Sequence, residues 1–422
     1  MTTIETPANF TELGLIPPLL TRLTELEYQQ PTPIQTQAIP SVLAGRDIMA
    51  GANTGSGKTA AFALPILQRL HADKPSSSES SQGNYVTGLI LVPTRELAKQ
   101  IADSIKSYAL HFNGVIKTVA VFGGVSANIQ MLALRGGTDI LVATPGRLLD
   151  LISSNAIKLD KVKTLVLDEA DRMLSLGFTE ELSELLALLP KEKQTLLFSA
   201  TFPEKVEALT EELLNDPVKV QLQSADSSTL VQRVFTVNKG GKTALLAHLI
   251  KQHEWRQVLV FVNAKNNCHH LAKKLAKRGI TADVFHGDKS QGARNRVLNG
   301  FKAGDIKVLI ATDLAARGID IEKLPVVINF DLPRSPFDYM HRIGRSGRAG
   351  EVGLALSLID YEDYHHFKII EKKNKIWLER EQVEGFEADE IISDELLAAN
   401  KPMAKPEGSG KKKRKNKAPF SW

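Results

Sequence analysis

Two short stretches carry residue types that could do chemistry. "TLVLDEADRML", residues 164–174, is an apolar run ending in three acids, Asp168, Glu169 and Asp171, within four positions. Carboxylates beside Leu165, Val166 and Leu167 are costly to bury unless a cation meets them. "GANTGSGKT", residues 51–59, follows the apolar "DIMA" and precedes the helical "AAFALPILQRL". Thr54, Gly55, Ser56 and Gly57 can turn backbone N–H groups towards phosphates at a helix start. Lys58 then neutralises charge near the β and γ groups, and the Thr59 hydroxyl can ligate Mg²⁺. The phosphate-loop pattern asks for glycine at its first position, where this chain has Ala52. Gly-Lys-Thr alone is weak evidence; strand, loop and helix in this order make it strong.

The two stretches belong together if both lie beyond the carboxyl ends of strands in one open α/β sheet, the usual ligand side. Asp168 would hold the hydrated Mg²⁺ and Glu169 would orient or deprotonate an attacking water. Acids at a strand end are often only a turn or a helix cap; beside a phosphate loop, the metal reading is preferred. "NKGGKTALLAHL", residues 238–249, repeats the Gly-Lys-Thr triplet without nearby acids of the "DEAD" kind, so Lys242 reads as an ordinary helix-start residue.

The elements that must position these groups are legible as alternating short β-branched or Leu-rich runs and helical patterns. "GLILVP", "DILVAT", "TLVLDE" and "TLLFSAT" predict one parallel sheet, and "VLVFVN", "KVLIATD", "VVINFD" and "LALSLI" predict a second. The polar "QSADSST" at 223–229 separates them. The expected division is therefore 1–222, a hinge at 223–230, a second domain at 231–375 and an extension at 376–422, with a cleft between the two domains. The Ser-rich 74–84 segment reads as a surface loop inside the first domain.

At 422 residues the chain exceeds one ordinary core. No basic-then-apolar segment opens it, and no apolar run nears the roughly eighteen residues needed to span a bilayer, so cytoplasm is the expected compartment. The single cysteine, Cys268, excludes an internal disulfide or a multi-Cys zinc site and reads as packing. Of the net +5, residues 401–422 carry +7, which leaves −2 on residues 1–400. Nucleic-acid affinity of the body must then come from placed residues, while "KKKRKNK" at 411–417 is either a binding arm or a solvated terminus.

"PTPIQ" (31–35), "ANTGSGKT" (52–59), "PTRELA" (93–98), "TPGR" (144–147), "DEAD" (168–171), "SAT" (199–201), "ATDLAARGID" (311–320) and "HRIGRSGR" (341–348) stand in one order. Together they resemble the DEAD-box ATP-dependent RNA helicases over roughly residues 10–365, and "HGDKSQGAR" at 286–294 is most similar to the bacterial RhlE-like branch. The resemblance implies two tandem RecA-like domains with ATP in the cleft. It implies Gln35 on adenine, Tyr28 stacked on the base with Phe10 as the upstream aromatic, and Asp320 on the ribose. Arg345 and Arg348 would stabilise the transferring phosphoryl group, and Ser199, Thr201 and His341 would couple ATP to RNA. Single-stranded RNA would meet Thr94, Arg95, Gly123, Gly124, Thr144 and Arg147 in domain one, and Gln291, Arg294 and Thr312 in domain two. Glu27 and Asn53 depart from the family's usual Gly and Gln; altered affinity rather than lost function is expected. The implied activity is RNA-stimulated ATP hydrolysis driving local, non-processive unwinding or RNP remodelling, with ribosome-assembly or RNA-degradation complexes as possible partners. An ATP-gated RNA clamp with little turnover is the alternative, and a DNA translocase is disfavoured.

Overall fold

Runs of consecutive buried apolar residues build the molecule: Leu165, Val166 and Leu167 are all fully buried, as a strand covered on both faces requires. The computed structural model describes residues 9–52, 56–73, 83–112, 114, 116–221, 230–316, 324–347 and 352–389. Thr54, Gly55, Asp320, Arg348, the hinge at 223–229 and the basic tail lie outside the described residues. The first seven strands are β1 Ile48–Gly51, β2 Val86–Leu91, β3 Thr118–Val121, β4 Thr138–Ala143, β5 Thr164–Asp168, β6 Gln194–Ser199 and β7 Val218–Gln221. The next seven are β8 Leu230–Thr236, β9 Val258–Phe261, β10 Ala282–Phe285, β11 Val308–Ala311, β12 Val326–Asn329, β13 Gly353–Ile359 and β14 Arg380–Glu381.

All pairings are parallel, in a seven-stranded sheet of order β3-β4-β2-β5-β6-β1-β7 and a second of order β10-β11-β9-β12-β13-β8-β14. Counted from its own first strand, each sheet has the same order, so the second lobe repeats the first. β8 corresponds to β1, β12 to β5 and β13 to β6. The tandem RecA-like architecture expected from the sequence is the architecture observed. Helices cover both faces of the sheets: Phe62, Ile101 and Phe198 belong to one apolar layer, Leu141, Leu165 and Met173 to the other. Cys268 is fully buried in the second lobe beside Leu271 and Val260, and burial pushes its thiol up to about 12. β14 lies past residue 375 and supplies an edge strand, with Val383 and Phe386 packed on that lobe's core.

Because every strand runs the same way, one edge of each sheet gathers all the carboxyl ends. In the first lobe, β3, β4 and β2 end at Gly123–Gly124, Thr144 and Thr94, whereas β5, β6 and β1 end at the acids, at Ser199 and at the phosphate loop. Among the described residues no helix is long and apolar enough to cross a membrane.

Candidate functional site

The helix Lys58–Asp73 starts on the phosphate loop. Gly57 has φ +94, and a Cβ there would collide with the Gln35 amide and Thr32 Oγ1, so only glycine fits. Ala52 is not among the left-handed residues, which is why alanine serves at the pattern's first glycine. Its N–H donates to the Ser199 carbonyl at 3.0 Å, tying the loop to β6. Lys58, nearly buried, donates from Nζ to the Ala52 carbonyl at 3.1 Å and stands 3.7 Å from Asp168 Oδ1. Ser56 and Thr59 flank it at the helix start.

Gln35 is buried and its amide is bonded at both ends: Oε1 accepts from Thr32 N at 2.9 Å and Nε2 donates to the Gly57 carbonyl at 3.2 Å. It therefore fixes the phosphate loop to the helix Pro33–Leu43. Phe10 and Tyr28 lie together with ring centroids 6.4 Å apart, and the Tyr28 hydroxyl meets that of Tyr108 at 3.3 Å. Glu27, immediately before Tyr28, has φ +59 and closes the helix Pro17–Glu25: Tyr28 N donates to Leu23 O and Glu27 N to Thr24 O. This left-handed closure is a conformation that favours glycine, and here a glutamate holds it.

The three acids occupy three different environments. Burial is the leading influence on Asp168 and pushes its carboxyl up to about 6, against the pull of Lys58, while Glu169 and Asp171 push in the same direction as burial. Glu169 has φ +54, a strained conformation for a residue with a side chain, and receives a 2.8 Å bond from Arg172 Nη1 with both side chains buried. Burial would raise its carboxyl too, but Arg172, Lys58, His341 and Arg345 outweigh it and hold it at about 2. A carboxylate so weakly basic is suited to orienting a water rather than removing its proton. On Asp171 burial is likewise overcome, chiefly by His341 and then by Thr201, and the carboxyl is held well below the usual range. Its Oδ2 accepts from Thr201 N at 2.9 Å and Thr201 Oγ1 at 2.7 Å, with His341 Nε2 3.7 Å away. Ser199 Oγ donates to Thr201 O at 2.7 Å and accepts from Asp171 N at 3.2 Å.

His341 lies in the last turn of the helix Pro336–Ile343 of the second lobe, so its approach to Asp171 crosses the seam between the lobes. Arg345, four residues on, is buried and close enough to lower Glu169. Arg342 is turned the other way: it grips Asp313 with Nε at 2.6 Å and Nη2 at 2.7 Å, and donates from Nη1 to the Asp331 carbonyl at 2.6 Å. The second Gly-Lys-Thr triplet behaves as expected, with the buried Lys242 held by Asp360 at 3.1 Å and by Asp363.

The candidate polymer contacts sit at helix starts. Thr94 caps Arg95–Tyr108 by accepting from Leu97 N at 3.3 Å, Thr144 precedes Pro145–Ser153, Gln291 opens Gln291–Ala303, and Thr312 accepts from Ala315 and Ala316 N. Gly124 has φ +81, and a Cβ there would come within 2.9 Å of Arg95 Nη1; Gly123 faces open space. Arg147 donates from Nη1 to the Val125 carbonyl at 2.8 Å. Arg294 is placed otherwise than an exposed phosphate ligand: it is buried, with Nη1 2.6 Å from Glu96 Oε1 across the seam, and Arg95 Nε meets the same oxygen at 2.6 Å. Sequence reasoning gave no role to Asp171, Arg172, Glu96 or Arg342. All four stand inside "DEAD", its flank, "PTRELA" or "HRIGRSGR"; Arg172 meets Glu169 three residues away, while Asp171, Glu96 and Arg342 find partners in distant parts of the chain.

Among the described residues no three His, Cys, Asp or Glu side chains converge as a self-sufficient metal site. Asp168, charged only reluctantly and faced by one lysine, instead suits a cation that brings water and phosphate oxygens with it, as Mg²⁺ does. One lobe that sets a lysine against a strand-end aspartate, with its own repeat turning histidine and arginine towards them, is the layout of a helicase-type nucleoside triphosphatase. Residues 32–209 match the DEAD/DEAH box helicase model and residues 241–350 the helicase conserved C-terminal domain. The chain is 36% identical to ATP-dependent RNA helicase CshA of Listeria monocytogenes over 396 residues, 93% of this chain and 74% of that protein. It is 38% identical to ATP-dependent RNA helicase DeaD of Escherichia coli over 374 residues, 88% of this chain and 58% of that protein. The solved structure of Saccharomyces cerevisiae Dbp5 bound to RNA and ADP BeF3 matches with a TM-score of 0.75 at 31% identity, covering 89% of this chain and 96% of that one. The chain belongs to the DEAD-box family of ATP-dependent RNA helicases.

Proposed function

We propose that this chain binds ATP and Mg²⁺ in the cleft, hydrolyses the ATP when RNA is also held, and uses the cycle to separate short RNA duplexes locally or to remodel RNA–protein assemblies. The helix start at Ser56, Gly57, Lys58 and Thr59 would receive the phosphates, with Thr54 and Gly55 completing the loop. Phe10, Tyr28, Gln35 and Asp320 would hold the nucleoside. Asp168 and Thr59 would hold Mg²⁺, which when bound neutralises phosphate oxygens as charge develops on them. Glu169 would orient the attacking water. Arg345 and Arg348 would bring guanidinium charge from the opposite lobe, an effect of about 10³ to 10⁵ in rate in related chemistry.

RNA would lie across the other half of both strand-end edges, on Thr94, Arg95, Gly123, Gly124, Thr144 and Arg147, then Gln291 and Thr312, with Arg294, held by Glu96, bracing that edge from behind. Backbone amides and hydroxyls there suit phosphate and 2′-OH groups and carry little sequence information. "HGDKSQGAR" supports a place near the RhlE-like branch; a cytoplasmic setting, with ribosome-assembly or RNA-degradation complexes as partners, is part of the same proposal.

The observation that carries the reading is the Asp171 junction next to Glu169, where Thr201 of one lobe and His341 of the other converge on one carboxylate while the Asp171 N–H donates to Ser199 Oγ. Both ligands would bias the seam to close, which is thermodynamic coupling. The test is multiple-turnover ATP hydrolysis titrated with RNA and with single-stranded DNA. RNA should stimulate and DNA should not, and Glu169→Gln should lower the rate by about 10² while both ligands still bind. A wild-type rate in Glu169→Gln removes the catalytic assignment, and tight binding of both ligands without turnover in the wild-type chain would make the protein a clamp.

A further inference from the structure

Trp377 is 78% exposed, the highest value among the exposed large hydrophobic side chains of the described residues. It is not on a loose segment. Ile376 and Leu378, on either side, pack on the apolar cluster of Tyr339, Phe367 and Ile370. Ile376 N donates to the Glu371 carbonyl at 3.1 Å and Leu378 N to Glu371 Oε1 at 3.0 Å. The in-out-in alternation thus holds the indole outwards on a rigid mount.

Three cations precede it, and one exposed acid, Glu379, follows two residues on. Lys372, Lys373 and Lys375 are exposed and form no ion pair with a described residue, while the nearby Glu371 is already taken by Arg380 through two 2.7 Å bonds. Lys373 and Lys375 also border a cavity of about 230 Å³ in the seam, closed by His341 from their own lobe and by Ala200 and Thr201 from the other. This ground adjoins the end of β13, whereas Gln291 and Thr312 follow β10 and β11 at the opposite edge of the sheet.

A flat π face with three lysines in the five residues before it, two of which border the seam cavity, matches a single-stranded nucleic acid: a base stacks and its phosphates meet cations. An acidic peptide would use the lysines but leave the indole without a partner. We propose that Trp377, Lys372, Lys373 and Lys375 form a second contact site for single-stranded RNA, with a base on the indole and adjoining phosphates on the lysines and at the mouth of the seam cavity. RNA as the ligand rests on the helicase reading above.

The test keeps Trp377 as the sole tryptophan by Trp255→Phe and Trp422→Phe in the full chain. Its fluorescence is then followed while an oligouridylate is added, and anisotropy of a labelled oligonucleotide reports binding independently. Quenching that tracks binding is expected. Trp377→Ala should raise the RNA Kd about five- to tenfold and Trp377→Phe should restore it, with kcat at saturating RNA unchanged. Lys373→Ala and Lys375→Ala should each lower the salt slope of binding by about 0.7. RNA binding with unchanged Trp377 emission and an unchanged Kd in Trp377→Ala overturns the proposal alone, as does quenching by polyglutamate but not by RNA. Absence of RNA binding by the wild-type chain overturns it together with the helicase reading.

Discussion

Asp171 serves partners from three parts of the chain: the hydroxyl and N–H of Thr201, the N–H of Arg172 at 2.9 Å and the approaching imidazole of His341. Hydrogen bonds to a buried charged group are worth about 1.5 to 3 kcal/mol each, and an orphaned donor costs about as much again. In Asp171→Asn the amide cannot accept from both Thr201 donors and answer His341 as an anion. The expected outcome is a loss of about 1 to 3 kcal/mol in stability by urea titration, ATP affinity near that of the wild type, and most of the RNA stimulation of ATP hydrolysis gone. The resemblance named Thr201 and His341 as coupling residues but not the carboxylate they share. The sequence marks Asp171 only as the third acid of a cluster, because its partners follow another strand and another lobe. Glu169 was legible as a polar residue at a strand end, but neither its left-handed backbone nor the Arg172 grip that fixes its charge could be read from residue types.

At the scale of elements, the β-branched runs of β2, β4, β5, β6, β9, β11, β12 and β13 were readable because strands buried on both faces are continuously apolar. β3 "TVAV" and β10 "ADVF" are four-residue edge strands and β14 has two residues, too short to stand out from loop. The turn at Glu27 was likewise hidden, since a side chain there gives no sign of φ +59. Glu27→Gly should stabilise the first lobe by about 1 kcal/mol, seen as a higher urea midpoint without a change in slope. Cys268 gives a readout for the second lobe. Its folded thiol, raised by burial to about 12, contributes stability that is fully present below the unfolded thiol's range and is lost as pH rises through about 9 to 12. Iodoacetamide at pH 8 should therefore leave the native chain unlabelled and modify Cys268 only on unfolding; Cys268→Ala should flatten the alkaline fall in stability. Rapid native labelling would contradict the buried placement.

Across the whole molecule, the two lobes meet through pairs that are buried on both sides. Arg294 and Glu96 lie 2.6 Å apart with side chains 4% and 14% exposed, so removing Glu96 strands the Arg294 charge in the seam, whereas Glu96 keeps Arg95 when Arg294 is lost. Glu96→Gln and Arg294→Gln should each lower the closed population, read as interlobe energy transfer with fluorophores on the two lobes in the presence of RNA and an ATP analogue. A double-mutant cycle should give a coupling of about 1 to 3 kcal/mol. A coupling near zero would mean that the pair is incidental. The tandem arrangement was legible from the restart of the strand rhythm, but that one sheet repeats the order of the other is a fact of pairing that no local pattern carries. That repetition gives Lys242 its meaning. It heads the helix after β8 as Lys58 heads the helix after β1, yet Asp360 and Asp363 already meet its ammonium group. An internal anion thus sits where the other half leaves space for an incoming one, and the protein becomes an unequal pair written in a single polypeptide: one member is filled and emptied at every cycle, its twin stays permanently saturated, and one nucleotide per chain is the stoichiometry that follows.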